Sequence, residues 1–208
     1  MKHQTIDYSL LLVTDHCENA ATFCSTIESA VQSGATMVQL REKTAGSRDF
    51  YELALQVMQI TQRYKLPLII NDRLDIALAV GADGVHVGQE DLPVAVVRRL
   101  LGPDKIVGAT AATVADALRA EAEGADYIGS GAVFPTATKP GKPVLPLTVL
   151  TQIKQAVKLP VVAIGGITAS NLVELKSTGV DGIAVVSAIM NSDDPAAATK
   201  EILSIWRK

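Results

Sequence analysis

Short runs of aliphatic and β-branched residues recur eight times along the chain, each followed by a stretch with helical spacing, and few folds accept that alternation. The runs are Ser9–Thr14, Met37–Arg41, Leu68–Asn71, Gly84–Val87, Ile106–Ala109, Tyr127–Ser130, Val161–Ile164 and Gly182–Val186. The helical stretches are Ala20–Gln32, Phe50–Tyr64, Leu74–Val80, Val94–Leu101, Val114–Glu123, Leu147–Val157, Ala169–Ser177 and Pro195–Trp206. In Phe50–Tyr64, Leu53, Val57 and Ile60 recur at steps of three and four. The turn from helix back to strand also repeats: Gly34-Ala35-Thr36, Gly81-Ala82-Asp83, Gly124-Ala125-Asp126, Gly179-Val180-Asp181. Gly supplies the left-handed backbone that a helix C-terminus favours.

Eight units in 208 residues leave roughly 26 residues each, close to the minimum for a strand, a crossover helix and a return. Alternating strands and helices imply a parallel sheet covered by helices. Eight units favour an α/β fold of the (β/α)8 TIM-barrel type, one domain over residues 1–208. A doubly wound sheet is the weaker alternative, because no G-x-G-x-x-G follows the first strand. Hydrophobic residues make up 48% of the chain but aromatics only 4%, so the core must be aliphatic.

With 19 basic and 22 acidic residues, the net charge of −3 argues against nucleic-acid or anionic-membrane partners. Cys17 and Cys24 are seven positions apart, wrong for a metal or redox clip. The segment Met1-Lys2-His3-Gln4 opens no signal-peptide core, and no run approaches the ~18 apolar residues of a membrane helix. The expected setting is cytoplasmic.

Barrel enzymes place their chemistry at the C-terminal ends of the strands. In Met37-Val38-Gln39-Leu40-Arg41-Glu42-Lys43 the period of two puts Val38 and Leu40 under the helices and Gln39, Arg41 and Lys43 inside the barrel. Two cations at a barrel mouth need compensation, either from internal salt bridges or from an anionic ligand held by Arg41 and Lys43. Asp72 and Asp91 end neighbouring strands. They either pair with those cations or hold Mg2+, which takes one or two carboxylates and completes its shell with water and phosphate oxygens. His86, with no second histidine at ligand spacing, reads as a hydrogen-bonded histidine of the barrel interior. The loop Phe134-Pro135-Thr136-Ala137-Thr138-Lys139 is polar enough to close over a ligand. Gly165-Gly166 before a helix, and the loop at Val186-Ser187, occupy the usual phosphate position of this fold. Spacing alone thus describes a phosphate site on one side of the mouth and a Mg2+–pyrophosphate site on the other.

At these residues the chain resembles the thiamine-phosphate synthases over nearly its whole length. The matching pieces are Gln39-Leu40-Arg41-Glu42-Lys43, Ile70-Asn71-Asp72-Arg73, Gly84-Val85-His86-Val87-Gly88-Gln89-Glu90-Asp91, Phe134-Pro135-Thr136-Ala137-Thr138-Lys139 and Ala163-Ile164-Gly165-Gly166-Ile167. The resemblance implies a (β/α)8 transferase that joins 4-amino-2-methyl-5-hydroxymethylpyrimidine diphosphate to 4-methyl-5-(2-hydroxyethyl)thiazole phosphate and releases pyrophosphate. It implies that Gln39, Leu40, Arg41, Glu42, Lys43, Asn71, Thr110 and Lys139 bind the pyrimidine diphosphate, with Arg41, Lys43 and Lys139 catalytic. Thr136, Ala137, Thr138, Gly166, Val186 and Ser187 would bind the thiazole phosphate, and Asp72 and Asp91 one Mg2+. Partners would be small phosphorylated molecules, with a homo-oligomer left open.

Two departures stand out. The family's usual Ser-x-His-Thr after the fifth strand is Thr110-Ala111-Ala112-Thr113 here, and Ala132 replaces a frequent proline before the Phe-Pro loop. Two rivals stay on the table: a thiazole tautomerase-like isomerase without a diphosphate clamp, and a non-catalytic barrel that binds a phosphate ligand. Asp91 and the Thr-x-Thr-Lys loop argue against the first, while Ala112 leaves room for the second.

Overall fold

The computed structural model describes residues 6–136, 138, 141 and 143–207. Eight parallel strands close into a barrel in sequence order: β1 (Leu10–Val13), β2 (Met37–Leu40), β3 (Leu68–Asn71), β4 (Gly84–Val87), β5 (Ile106–Thr110), β6 (Tyr127–Gly131), β7 (Val161–Ile164) and β8 (Gly182–Val185). Leu11 pairs with Met37 of β2 on one side and Ala184 of β8 on the other, which shuts the ring. The helices outside are α1 (Ala20–Gln32), α2 (Ser47–Arg63), α3 (Leu74–Val80), α4 (Val94–Leu101), α5 (Val114–Ala122), α6 (Leu147–Ala156), α7 (Ser187–Met190) and α8 (Pro195–Trp206). A 3₁₀ helix at Leu172–Thr178 follows β7. This is the (β/α)8 TIM barrel expected from the alternation.

Strand alternation divides the apolar residues into two populations. Leu10, Leu12, Val38, Leu40, Val85, Val107 and Ile128 pack outward beneath the helices. Leu11, Val13, Met37, Ile69, Ile106, Tyr127, Val162 and Ala184 fill the barrel interior. A strand buried on both faces needs no polar alternation, and so these runs read as continuously apolar.

The repeated helix-to-strand phrase has a specific task at the lower rim. Asp83 accepts the N–H of Leu68 (2.9 Å), Asp126 that of Val107 (2.7 Å) and Asp181 that of Val161 (2.7 Å). Thr36 does the same for Leu10 through its hydroxyl (3.1 Å). In each case the residue's own N–H donates back to the carbonyl of the same partner. The side chain before each even strand thereby satisfies an amide at the start of the odd strand beside it, which would otherwise stay buried and unpaired.

Two local expectations need correction, and one short helix carried no expectation at all. Helix α2 starts at Ser47, three residues before Phe50, because its first turn is polar (Ser47-Arg48-Asp49) and shows no apolar period. The expected helix over Ala169–Ser177 is the 3₁₀ segment Leu172–Thr178, so the Gly165-Gly166 pair does not lead straight into a helix. Helix α7 is a single turn, too short to declare itself by periodicity.

Candidate active site

All the candidate residues among those described stand at the C-terminal ends of strands or just beyond. From β2, Gln39 is buried and donates from Nε2 to the Tyr127 hydroxyl at 3.3 Å. Two residues on, Arg41 donates from Nη1 to Asp15 at 2.8 Å. Asp15 continues the inward series Leu11, Val13 of β1, so strand register places it beside Arg41; period two could have found it in the sequence. Arg41 is largely buried, and among the described residues its Nε has no hydrogen-bond partner. The guanidinium therefore retains a donor after Asp15 is served. Leu40 points the other way, into the core under the helices.

Glu42 behaves differently from its neighbours. Its side chain is 1% exposed. One oxygen accepts from His16 (2.9 Å) and the Cys17 N–H (3.1 Å). The other accepts from the Thr44 N–H (2.7 Å), the Thr44 hydroxyl (2.8 Å) and the Ala45 N–H (3.2 Å). Burial alone would raise its pKa, but these donors outweigh burial and bring it down to about 2. The carboxylate is thus spent on tying the loop after β2 to the loop after β1. It fixes the backbone from which Arg41 and Lys43 project.

Lys43 is half exposed and forms an ion pair with Asp72. Asp72 follows Asn71, the last residue of β3, in a left-handed conformation (φ 62°), and its N–H donates to the His86 carbonyl at 2.8 Å. Asp91 is aimed by a local turn: its carboxylate accepts the Gly88 N–H at 2.7 Å while its own N–H returns to the Gly88 carbonyl at 3.3 Å. Desolvation, then contact with the Asp72 carboxyl, raises the pKa of Asp91 against the opposing effects of Gly88 and Lys43. Two carboxyl groups in contact beside one ammonium form a hard oxygen site with surplus negative charge. Among the described residues no cluster of three or more metal-ligating side chains occurs. The donor set therefore fits a cation that is content with two carboxylates, as Mg2+ is, and not a zinc-type site.

Inside the barrel, His86 bonds on both ring nitrogens, to the Tyr127 hydroxyl (3.0 Å) and to the Thr110 hydroxyl (2.9 Å). This is the interior hydrogen-bonded histidine that its spacing suggested. Tyr127 was not singled out by sequence, although alternation along β6 points it inward. Ala112 is exposed beyond β5, next to Thr113, the N-cap of α5.

On the opposite side of the mouth, the loops after β6 and β7 continue to pair beyond their strands: Val133 N–H to the Ile164 carbonyl and Phe134 N–H to the Gly165 carbonyl, both at 3.0 Å. A Cβ on Gly166 would lie 2.4 Å from the Pro135 carbonyl, so only glycine permits this contact. Thr136 Oγ1 accepts the Thr138 N–H at 3.2 Å, curling the polar loop. Val186 precedes Ser187, the exposed first residue of α7. The glycine turn and the start of α7 end neighbouring strands, as the spacing suggested. Ala137 and Lys139 lie outside the described residues.

The sequence profile of the thiamine monophosphate synthases matches residues 10–189. A thiamine-phosphate synthase of Ruminiclostridium cellulolyticum is 54% identical over 202 residues, covering 97% of this chain and 96% of its own. One from Methanobrevibacter smithii is 52% identical, with 97% of each chain covered. A solved thiamine phosphate pyrophosphorylase of Pyrococcus furiosus superposes with a TM-score of 0.86 at 40% identity, over 97% of this chain and 96% of that one. With a barrel, a mouth and a sequence that agree along the whole length, this chain belongs to the thiamine monophosphate synthase family.

Proposed function

We propose that the barrel mouth couples the pyrimidine diphosphate to the thiazole phosphate, forming thiamine phosphate and pyrophosphate. The observation that supports this reading most is the meeting of Asp72, Asp91 and Lys43 over β2 to β4, with Arg41 and its spare donor beside them. In the proposed reaction the bond from the pyrimidine CH2 to the diphosphate oxygen breaks and a bond to the thiazole nitrogen forms. The electron pair leaves with pyrophosphate, and no side-chain nucleophile is needed.

Arg41 and Lys43 would hold the diphosphate and stabilise the charge that grows on its bridging oxygen. Lys139 is proposed to join them by its place in the sequence. Asn71 and the backbone at Leu40 and Glu42 border the same ligand; the Glu42 side chain contributes by holding the loops. Asp72 and Asp91 are the residues that would hold Mg2+, which supplies further charge neutralisation for the departing pyrophosphate. Gln39 and Thr110 would contact the pyrimidine, and Thr136, Ala137, Thr138, Gly166, Val186 and Ser187 the thiazole phosphate. The loop over Thr136 would keep water from the cation formed when pyrophosphate departs.

A cytoplasmic setting is part of the proposal, supported by Cys17 and Cys24 both being free thiols. Among the described residues, no helix is long and apolar enough to cross a membrane. The direct test is pyrophosphate release from the two substrates in the presence of Mg2+. Release that requires both substrates is the expected result. Isomerisation of the thiazole without pyrophosphate release, or binding without turnover, would overturn the assignment.

A further inference from the structure

The turn after β7 is made of the most pliable backbone a chain can offer. Gly165 and Gly166 follow one another with positive φ, 102° and 66°. A glycine pair reorients its peptide groups at little cost, so such a turn keeps one shape only if something holds it. The chain on its far side is fixed, because Ile167 and Leu172 are buried in the core under the helices.

Two contacts hold the pair, one for each carbonyl. The Gly165 carbonyl accepts the Phe134 N–H at 3.0 Å. The Gly166 carbonyl accepts from Asn171 Nδ2 at 2.8 Å, and Asn171 Oδ1 accepts the Thr168 N–H at 2.9 Å. Both partners of this side-chain amide are backbone groups, one purely an acceptor and the other purely a donor, so they fix which way it faces. Asn171 stands at the N-cap position of the 3₁₀ helix Leu172–Thr178, yet its side chain makes no cap. An asparagine there ordinarily turns forward to the first N–H groups of its helix. This one reaches back across the glycine turn.

A trans peptide is planar, so its N–H points opposite to its carbonyl. Holding the carbonyls of Gly165 and Gly166 therefore also sets the directions of the Gly166 and Ile167 N–H groups. Neither of these donors has a hydrogen-bond partner among the described residues.

We propose that Asn171 is a positioning residue for the thiazole phosphate: by holding the Gly166 carbonyl and the Thr168 N–H, it locks the glycine turn in the shape that offers the Gly166 and Ile167 N–H groups to phosphate oxygens. Its own side chain need not touch the ligand. A turn ordered in advance spares the ligand the cost of ordering it, and the saving appears as affinity. The inference rests on the function proposed above, in which Gly166 borders the thiazole phosphate.

The test has two arms. In the first, backbone 15N relaxation is measured without ligand on the unmodified protein and on Asn171→Ala. The amides of Gly166 and Ile167 should have order parameters of about 0.85 in the unmodified protein and below about 0.6 in the variant. Equal order in both would overturn the proposal. This arm needs no substrate, so it judges the lock even if the unmodified protein binds no thiazole phosphate, a result that would instead remove the proposed function.

In the second arm KM is read separately for the two substrates. Asn171→Ala should raise the KM for thiazole phosphate about 5- to 150-fold, the equivalent of two lost hydrogen bonds. The KM for the pyrimidine diphosphate should stay in place. Asn171→Asp keeps the acceptor for Thr168 but sets an oxygen against the Gly166 carbonyl, so it should bind thiazole phosphate no better than the alanine variant. An equal rise in both KM values, or a fall in kcat alone, would make Asn171 merely structural. Normal thiazole phosphate affinity in Asn171→Asp would show that the contact with Gly166 is not what positions the turn. Should the alanine variant not fold, the aspartate variant carries both arms.

Discussion

Residues adjacent in the loop after β2 serve opposite ends in this protein. Lys43 and Glu42 are neighbours, yet one is half exposed at the mouth and the other is sealed between two loops. An ion pair as exposed as that of Lys43 with Asp72 contributes ~0–1 kcal/mol to stability. Removing the same ammonium from a developing phosphate charge costs on the order of 10²–10³ in kcat. Lys43→Met should therefore lower kcat by that factor and leave the urea midpoint nearly in place. A collapsed midpoint with normal turnover per folded molecule would make the pair structural. For Glu42 the sign runs the other way. Its pKa is depressed from 4.5 to about 2 in the folded protein. Its contribution to stability is complete above pH 4.5 and is lost as the pH falls toward 2. Glu42→Leu should lose on the order of 3 kcal/mol at pH 7, since it strands several buried N–H groups. The deficit against the parent protein should shrink as urea midpoints are followed down through that window. A constant deficit would mean that the charge of Glu42 is not what holds the loops.

Among the elements, the strands are tied at the lower rim and armed at the upper one. The Asp83, Asp126 and Asp181 anchors and the Thr36 hydroxyl close amides at the starts of β3, β5, β7 and β1. Asp126 also pairs with Arg98 of α4, which binds the carbonyls of Gly102, Gly124 and Lys105. Asp126→Ala should cost ~1–3 kcal/mol in urea unfolding, because it leaves a buried donor unmet. Turnover per folded molecule should hold, since the anchor lies at the end of the barrel opposite the mouth. A fall in kcat at unchanged stability would contradict this division between the two rims.

The molecule as a whole divides its mouth into halves. Asp72, Asp91, Arg41 and Lys43 gather over β2 to β4, whereas the glycine turn after β7 and the start of α7 after β8 lie across the opening. The halves should fail separately. Asp91→Ala should abolish most pyrophosphate release while thiazole phosphate still binds with near-normal affinity in calorimetry. Equal loss of both would show one indivisible site.

The sequence by itself determined the fold, because β/α alternation and recurrent Gly-x-Asp turns are local signals that survive in one dimension. It also marked the charged residues of the mouth, since cations and carboxylates at strand ends are costly without a partner, and the period of two says which face each one takes. Only the tertiary structure decided how those residues are spent. Glu42 stands in the same motif as Arg41 and Lys43, and nothing in its spacing says that five donors from two loops converge on it. Asp15 is 26 positions from Arg41, and Tyr127 is 88 from Gln39. Such partners become neighbours only when a closed barrel brings distant strands across one interior.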